Sequence, residues 1–438
     1  MAAQISHILA GEEALRLADP ELASALGFEE APPPPSGAAK LAADWFRLGC
    51  QGPDIFYHNQ RTKPSGLHYG ALAHRRNYGL LVEGALERLV QDEAEPLGPG
   101  CGAAGAAGRG GAPLSPGLAY LLGFATHAAL DRAVHPFIVY FSGWADRDAP
   151  GSERYRGCHP FLERLLDLAL LAELRGVGPA GFDLEALLPL DGRAAGAAGA
   201  AAAASGGAAS AGGAPGNAAG PGSAAAPGSA AAPAGPAAEV TALLASGLAK
   251  AYPKAAGADF LIARRIENAL SDARYFFRAT NPARTAGARA DYFAYLDDRA
   301  GPRSIALVYP EALPPGLDVL NRARRPWRHP AGDGRASDED YAALYLRGVE
   351  EGGRILSLVL SALREGPGPG RFHGLAAAIG NGGLSVTDEA GIPLPPRLSE
   401  PLPLPELMEA EFKLRLELAR RSLGPSSPAA TAPLAGFD

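Results

Sequence analysis

The stretch of the sequence that most restricts the fold is GFATHAALDRAVHPFIVYF, residues 123–141. It is long and apolar enough for a buried helix, yet it carries His127, Asp131 and His135 at steps of four residues. A step of four along an α-helix turns only about 40° around the axis, so the three side chains point from one face. Unpartnered polar groups in such apolar surroundings would cost several kcal/mol. The stretch therefore predicts a buried helix with a metal-binding face.

A second predicted helix carries the same kind of face. In CHPFLERLLD, His159 and Glu163 lie one turn apart, so the two helices together present five imidazole and carboxylate groups. An isolated His and acid pair at this spacing is usually an ordinary hydrogen bond, but five such groups are harder to explain that way. Zn²⁺ binds neutral imidazole nitrogen and carboxylate oxygen. The inventory suits two or three zinc ions per chain better than one.

Helical periodicity runs through most of the remaining chain. Apolar residues recur at intervals of three and four in four further segments. These segments are 78–90, 161–176, 258–279 and 339–366. The apolar stripe predicted in the third of them consists of Leu261, Ile262, Arg265, Ile266 and Leu270. Because no series of alternating strands accompanies these segments, the sequence predicts an all-α fold.

Segments poor in large side chains interrupt this pattern. Residues 193–238 contain no aromatic and no large aliphatic residue, so nothing there can be buried to offset the entropy of ordering. Shorter breaks of the same kind lie at 31–37 and 98–117. The predicted division is a zinc-binding helical core (1–192), a low-complexity flexible insert (193–238), helices completing the core (239–300), and a C-terminal helical extension with a proline-rich connector and a frayed tail (301–438).

Composition narrows the function classes. The formal net charge of −7 provides no basic surface specific for nucleic acid or for an anionic membrane. The three cysteines form no C-x-x-C pair, which argues against a disulfide framework and for a reducing compartment. The first residues lack the basic leader of a signal peptide, and no window reaches the ~20 apolar residues of a transmembrane segment. We expect a soluble, cytoplasmic protein.

The segment LGCQGPDIFYH, residues 48–58, contributes a further candidate in Asp54. Gly52 and Pro53 indicate a tight turn, and Asp54 follows directly before an apolar and aromatic run. From the local sequence alone, a carboxylate here is more often a turn or helix-cap residue than a ligand. Both interpretations are open at this level.

Taken in order along the chain, these pieces resemble the zinc-dependent phospholipase C family, whose all-helical zinc fold is related to that of single-strand-specific zinc nucleases. The matching motifs are ISH, GCQGPDIFYH, YGALAHRR, GFATHAALDRAVHP and HPFLE, within roughly the first 165 residues. LNRARRPWRHP and AIGNGGLSV, further along, resemble the intracellular bacterial branch of that family. The resemblance implies a multi-helix, phospholipase C-like fold.

The resemblance also implies a set of ligands. One zinc would be held by Asp54, His74, His127 and Asp131, with Asp131 bridging to a second ion. Another zinc would be held by His135, His159 and Glu163. His7 would belong to a third site, to which secreted relatives add the free amine of the mature N-terminus; here that amine would be that of Ala2, after loss of Met1.

One ligand position is ambiguous, because SGLHYGALAHRR contains both His68 and His74. We prefer His74, since YGALAHRR is closer to the small-x-Leu-x-His pattern of the family, although the separation of His68 from Asp54 is nearer to that of the secreted enzymes. His58, His329 and His373 are expected to be structural.

The function implied by the resemblance is hydrolysis of a phosphodiester, with metal-bound water as the nucleophile and Asp54 as the catalytic residue that orients or deprotonates it. The expected partner is a phosphodiester substrate, and a phospholipid is the first candidate. Two alternatives remain at this level. One is a nuclease or nucleotide phosphohydrolase with the same zinc cluster, and the other is a non-catalytic helical zinc protein.

Overall fold

The protein is described by a computed structural model over residues 4–29, 35–94, 114–189, 235–285, 305–365 and 370–423. The helices are α1 (Gln4–Ala18), α2 (Pro20–Ala25), α3 (Gly37–Cys50), α4 (Leu67–Arg75), α5 (Tyr78–Ala94), α6 (Pro116–Ser142), α7 (Cys158–Arg175), α8 (Leu184–Leu187), α9 (Pro236–Ala251), α10 (Pro253–Ala256), α11 (Ile262–Ala279), α12 (Pro282–Thr285), α13 (Tyr341–Arg364), α14 (Leu375–Ile379) and α15 (Leu404–Leu423). Three 3₁₀ helices accompany them, at Gly52–Phe56, Ser152–Tyr155 and Pro179–Gly181.

Extended structure is minimal in the described ranges. Strands β1 (Trp327–Arg328) and β2 (Ala336–Ser337) pair antiparallel, with Trp327 opposite Ser337. The all-α prediction is therefore confirmed. None of the described helices has both the length and the apolar character that a membrane span requires.

Helix α6 forms the centre of the fold. It begins where the Ser115 hydroxyl accepts a hydrogen bond from the Leu118 N–H at 3.1 Å, and Pro116 occupies a first-turn position that needs no N–H donor. It ends at Gly143, whose φ is +64°. Residues 117–131 are buried on every side. A helix that is apolar all round is surrounded by other elements, and α6 is contacted by α1, α3, α5, α7, α9 and α13.

Small residues allow α3 and α6 to approach closely. A Cβ added to Gly49 would lie 2.1 Å from the Tyr120 carbonyl oxygen, and one added to Gly123 would lie 2.0 Å from that of Phe46. The two backbones are thus in direct contact. This contact brings the 3₁₀ helix that follows α3, Gly52–Phe56, against the polar residues of α6.

The C-terminal part of the chain shares the core of the N-terminal part. Helix α13 packs on both α1 and α6, and its Leu356 and Val359 belong to the same hydrophobic cluster as Ile8 of α1. The described residues of the predicted extension, 301–438, therefore help to enclose α6.

Several boundaries differ from the predictions. Residues 193–234 of the predicted insert and the tail from 424 lie outside the described residues, whereas 236–238 form the first turn of α9. The predicted breaks 31–37 and 98–117 overlap the first residues of α3 and α6. The stripe proposed for 258–279 was wrong at Leu261, which is 37% exposed because the helix begins only at Ile262.

Candidate metal centre

The eight predicted ligands converge from five elements of the structure. His7 comes from α1, Asp54 from Gly52–Phe56, His74 from α4, His127, Asp131 and His135 from α6, and His159 and Glu163 from α7. They form three groups, in each of which the potential ligand atoms lie within 4.8 Å of one another. The groups are His7, His127 and Asp131; Asp54, His74 and His127; and His135, His159 and Glu163.

Asp131 lies between these groups. Its Oδ1 is 3.2 Å from Nε2 of His7, and its Oδ2 is 3.1 Å from Nε2 of His127. The same Oδ2 is 3.7 Å from Nε2 of His74 and 3.7 Å from Nδ1 of His135. Asp131 is only 1% exposed. One buried carboxylate therefore faces imidazoles of all three groups.

The turn at Gly52 brings Asp54 into the group that contains His74 and His127. Oδ1 of Asp54 lies 3.0 Å from Nε2 of His74. Gly52 has a φ of +54°, and a Cβ added there would lie 2.3 Å from Cγ of His127. Only glycine combines this backbone conformation with such a close approach to the imidazole.

The third group lies at the other end of the polar face of α6. Oε1 of Glu163 is 3.2 Å from Nε2 of His159 and 3.7 Å from Nε2 of His135. The Glu163 side chain is fully buried, but that of His159 is 29% exposed. In the group of Asp54, His74 and His127, the His74 side chain is 14% exposed. The centre is thus accessible to solvent at His74 and His159.

Backbone carbonyls orient three of the imidazoles. Nδ1 of His74 bonds to the Gly70 oxygen at 2.8 Å, that of His127 to the Cys50 oxygen at 3.2 Å, and that of His135 to the Leu384 oxygen at 3.0 Å. A carbonyl oxygen can only accept, so each Nδ1 donates. In the neutral ring, Nε2 then bears a lone pair, and a metal-binding histidine is commonly held in this way.

The polar atoms at the centre lie close enough together to hold a metal ion. Neither oxygen of Asp131 or of Glu163 makes a hydrogen bond, nor does Nε2 of His127, although nitrogens and oxygens lie 3.1–3.7 Å apart. Buried polar atoms are nearly always hydrogen-bonded, so a cluster of nitrogens and oxygens without well-directed partners could hold a positive ion. Imidazole nitrogens with carboxylate oxygens make a donor set that fits zinc.

The electrostatics also show that the centre requires positive charge. Burial favours the neutral acid, but His127 and His135 outweigh it and hold the pKa of Asp131 well below its ordinary value. Burial likewise opposes ionisation of Glu163, yet His159 and other positive charges lower its pKa to about 2. Conversely, despite burial, Asp131 and Glu163 raise the pKa of His135 to about 9. Protons or a bound cation must balance these carboxylates.

The pKa values of two further side chains of the centre, His7 and Asp54, are both lowered. Burial, together with the neighbouring His127, lowers the pKa of His7. For Asp54, burial favours the neutral acid, but the positive charges around it, including those of His74 and His127, hold its pKa far below the ordinary value. Asp54 is therefore ionised across the physiological range.

The remaining histidines lie away from these groups. His68 packs against the Tyr69 ring, with centroids 4.0 Å apart. His58 stacks on Phe276 at 3.9 Å, and burial lowers its pKa to about 3. His329 contacts Arg335, and His373 is exposed. The N-terminal amine proposed for the third site lies outside the described residues.

Asp167 supports the centre and was not among the predicted site residues. It is fully buried on α7, one turn after Glu163, and it accepts hydrogen bonds from the Ile5 and Ser6 amides at 3.1 and 2.8 Å. The hydroxyls of Ser6 and Tyr309 donate to it at 2.6 and 2.7 Å. Asp167 thus caps α1, the helix that carries His7. The sequence did carry a signal for Asp167, because His159, Glu163 and Asp167 follow one another at steps of four residues.

A cavity of about 700 Å³ lies beside the centre. Arg132, Arg335, Arg347 and residues 379–383 line it, and none of the eight candidate ligands does. It is therefore separate from the cluster.

No family model, no curated protein and no solved structure matches this chain.

Proposed function

We propose that this protein is a zinc-dependent phosphodiester hydrolase of the phospholipase C type. The observation that carries the proposal is the position of Asp131, a buried carboxylate facing His7, His127, His74 and His135 at 3.1–3.7 Å. A carboxylate in this position can bridge neighbouring ions, and pairs of ions are typical of enzymes that cleave phosphate esters. The order of the sequence motifs supports the same class.

The chain offers ligands for two or three zinc ions. Asp54, His74, His127 and Asp131 would hold one, His135, His159 and Glu163 another, and His7 with Asp131 contributes to a third group. Bound zinc supplies positive charge that offsets the charge developing on phosphoryl oxygens and lowers the pKa of water towards about 7.

The Asp54 carboxylate is suited to orienting the attacking water. Because its pKa lies far below the ordinary value, Asp54 is a weak base at neutral pH. Its oxygens can still accept a hydrogen bond from water and hold it in line with a phosphorus atom. Of the two roles expected for Asp54, the electrostatics favour orientation over deprotonation.

Solvent access is consistent with a reaction at this centre. The most exposed ligand side chains are those of His159, at 29%, and His74, at 14%. These two belong to different groups, and each retains a buried carboxylate partner. Both groups are therefore open to solvent at an imidazole while their carboxylates stay buried. The choice of a phospholipid as the substrate rests on the sequence motifs, because fold and metal ligands do not select the organic part.

The test is hydrolysis by the purified, zinc-loaded protein. We expect release of phosphocholine from phosphatidylcholine vesicles, abolished by a chelator and restored by Zn²⁺. Asp131→Asn should weaken zinc binding at the sites it shares and lower the rate by more than about 100-fold, because loss of an outer-shell partner alone costs 10–100-fold in affinity or activity. Asp54→Asn should lower the rate more than the zinc content.

Asp338→Asn is the matched control, since Asp338 is exposed and belongs to none of the three groups. It should leave zinc content and rate unchanged. Cleavage of a single-stranded DNA oligonucleotide without any release of phosphocholine would replace the phospholipase assignment by a nuclease. A wild-type protein with fewer than two zinc ions per chain would overturn the proposal altogether.

A further inference from the structure

The glycine-rich loop, residues 380–384 with the sequence GNGGL, lies against the metal centre although no predicted ligand comes from it. It follows α14 directly. The sequence assigned no role to this part of the chain. Its contacts nevertheless connect it to ligands of two different groups.

Leu384 makes these contacts with its backbone. Its carbonyl oxygen accepts the hydrogen bond from Nδ1 of His135 at 3.0 Å, and its N–H donates to the carbonyl oxygen of His74 at 2.9 Å. His74 belongs to α4 and His135 to α6. Leu384 therefore orients the His135 ring, which belongs to the group with His159 and Glu163. It also holds the backbone of His74, which belongs to the group with Asp54 and His127.

Arg132 fastens the loop to α6. Its Nη1 donates to the Ile379 oxygen, its Nη2 to the Gly380 oxygen at 3.0 Å, and its Nε to the Gly383 oxygen at 3.3 Å. Arg132 directly follows Asp131 in the sequence. The guanidinium is mostly buried under the loop and has a fixed, planar set of donors, so it can hold several carbonyls in one arrangement.

The start of α5 holds the loop from the other side. The Asn77 N–H donates to the Asn381 oxygen at 2.9 Å, and the Leu80 N–H donates to Oδ1 of Asn381 at 3.0 Å. Gly380 has a φ of +90°, and a Cβ there would lie 3.1 Å from Nη1 of Arg132. The positive φ favours glycine at this position, where the loop passes close to the guanidinium.

We propose that the glycine-rich loop is an outer shell shared by both ends of the metal centre, and that Arg132 is the positioning residue that keeps it in place. The inference rests on the proposed function, because it concerns zinc bound by the same ligands. A donor bond from Nδ1 to a carbonyl fixes the ring and strengthens Nε2 as a ligand. Release of the loop would free the His135 ring and weaken zinc binding at its group.

The experiment compares Arg132→Met and Arg132→Lys with Arg354→Met in the full chain. Arg354 also donates to a carbonyl close to the loop, that of Ala378, but it is 49% exposed and does not contact 380–384. Zinc affinity is measured by competition with a chelator, ligand geometry by the visible absorption of the Co²⁺-loaded protein, and stability by thermal unfolding of the metal-free protein.

Arg132→Met should bind its weakest zinc about 10–100-fold less tightly and change the Co²⁺ spectrum. Arg132→Lys should recover part of the affinity, since lysine keeps the charge but lacks the planar fork. Arg354→Met should bind zinc like the wild-type protein. If Arg132→Met does not fold, Arg132→Lys provides the same comparison.

An Arg132 variant with wild-type zinc affinity and Co²⁺ spectrum, but a lower melting temperature, would show that the loop is purely structural and overturn the inference. This result would leave the proposed hydrolase intact. If the wild-type protein itself binds no zinc in the same assay, the proposed function fails first and takes the inference with it.

Discussion

Nε2 of His7 lies 3.2 Å from Oδ1 of Asp131, which joins the first helix of the chain to the central helix α6. The two rings of His7 and His127 stack at 4.2 Å beside this contact. The position of α1 in turn depends on Asp167, which accepts the Ile5 and Ser6 amides. The geometry of His7 is therefore determined from α7 as well as from α6.

We expect Asp167→Asn to loosen α1 and its ligand together. A hydrogen bond to a charged group contributes about 1.5–3 kcal/mol to stability. In the variant, the side-chain N–H₂ of asparagine would face one of the N–H or O–H donors that now bond to the carboxylate. The free energy of unfolding should fall by about 2–3 kcal/mol, and zinc content should fall with it. Urea unfolding and metal analysis of the dialysed protein measure the two quantities.

The control for Asp167 is Asp183→Asn. Asp183 also accepts a first-turn amide, that of Glu185 at 2.9 Å, but it is exposed and caps the short helix α8. Asp183→Asn should lower the free energy of unfolding by about 1 kcal/mol and leave the zinc content unchanged. Equal zinc content in both variants would show that the cap of α1 does not position His7.

Gly52→Ala should displace His127. The new Cβ would lie 2.3 Å from Cγ of His127, so the ring or the turn carrying Asp54 must move. Gly37→Ala is a matched control, because Gly37 has a φ of +57°, close to the +54° of Gly52, and nothing lies within 4 Å of its added Cβ. Both variants carry the backbone strain of a left-handed residue, of order 1 kcal/mol.

Only Gly52→Ala should lose zinc. Metal content by mass spectrometry and melting temperature of the metal-free protein separate the two effects. If both variants lost stability equally and both retained full zinc content, the contact between Gly52 and His127 would have no role in the centre.

The helices and the shared face of His127, Asp131 and His135 could be predicted because their signals are local, whereas His7, Asp54 and His74 were assigned as ligands only through the family resemblance. The apolar stripe of residues 161–176 and the four-residue steps of His127, Asp131 and His135 are properties of neighbouring residues in one helix. Helix α7 and the convergence of these side chains agree with that pattern. The end of a helix is less well determined, as Leu261 shows.

The hydrogen-bond partners of the imidazoles could not be predicted in this way. The oxygens that orient His74, His127 and His135 are backbone carbonyls of Gly70, Cys50 and Leu384, and every residue type offers a carbonyl. Which of them reaches an imidazole depends on tertiary packing. The packing of α13 against α1 and α6 is non-local for the same reason.

The metal-free protein should lose stability as the pH rises from about 6.5 to 9. The pKa of His135 is raised from the ordinary 6.5 to about 9 against the effect of burial, by Asp131 and Glu163. Between these values the folded state binds more protons than the unfolded state, so stability falls with increasing pH. Below 6.5 the slope reverses, because burial lowers the pKa of His58 to about 3.

The melting temperature of the chelator-treated protein should therefore be highest near pH 6.5. Zinc binds neutral imidazole, so the stabilisation it adds should increase over the same pH range. His135→Asn should remove much of the slope between pH 6.5 and 9, and a slope unchanged in this variant would contradict the assignment to His135.

His74 and His68 lie six residues apart, and their substitution distinguishes the two candidates for one ligand position. Nε2 of His74 is 3.0 Å from Asp54, whereas the His68 ring packs on Tyr69. His74→Ala should lower zinc content by one ion per chain and reduce phosphocholine release by more than about 100-fold, the effect expected of a lost ligand. His68→Ala should retain the zinc and most of the activity. Because both variants remove an imidazole from the same helix, their difference reports on the ligand role alone. Zinc loss in His68→Ala with none in His74→Ala would reverse the assignment and require α4 to turn relative to Asp54.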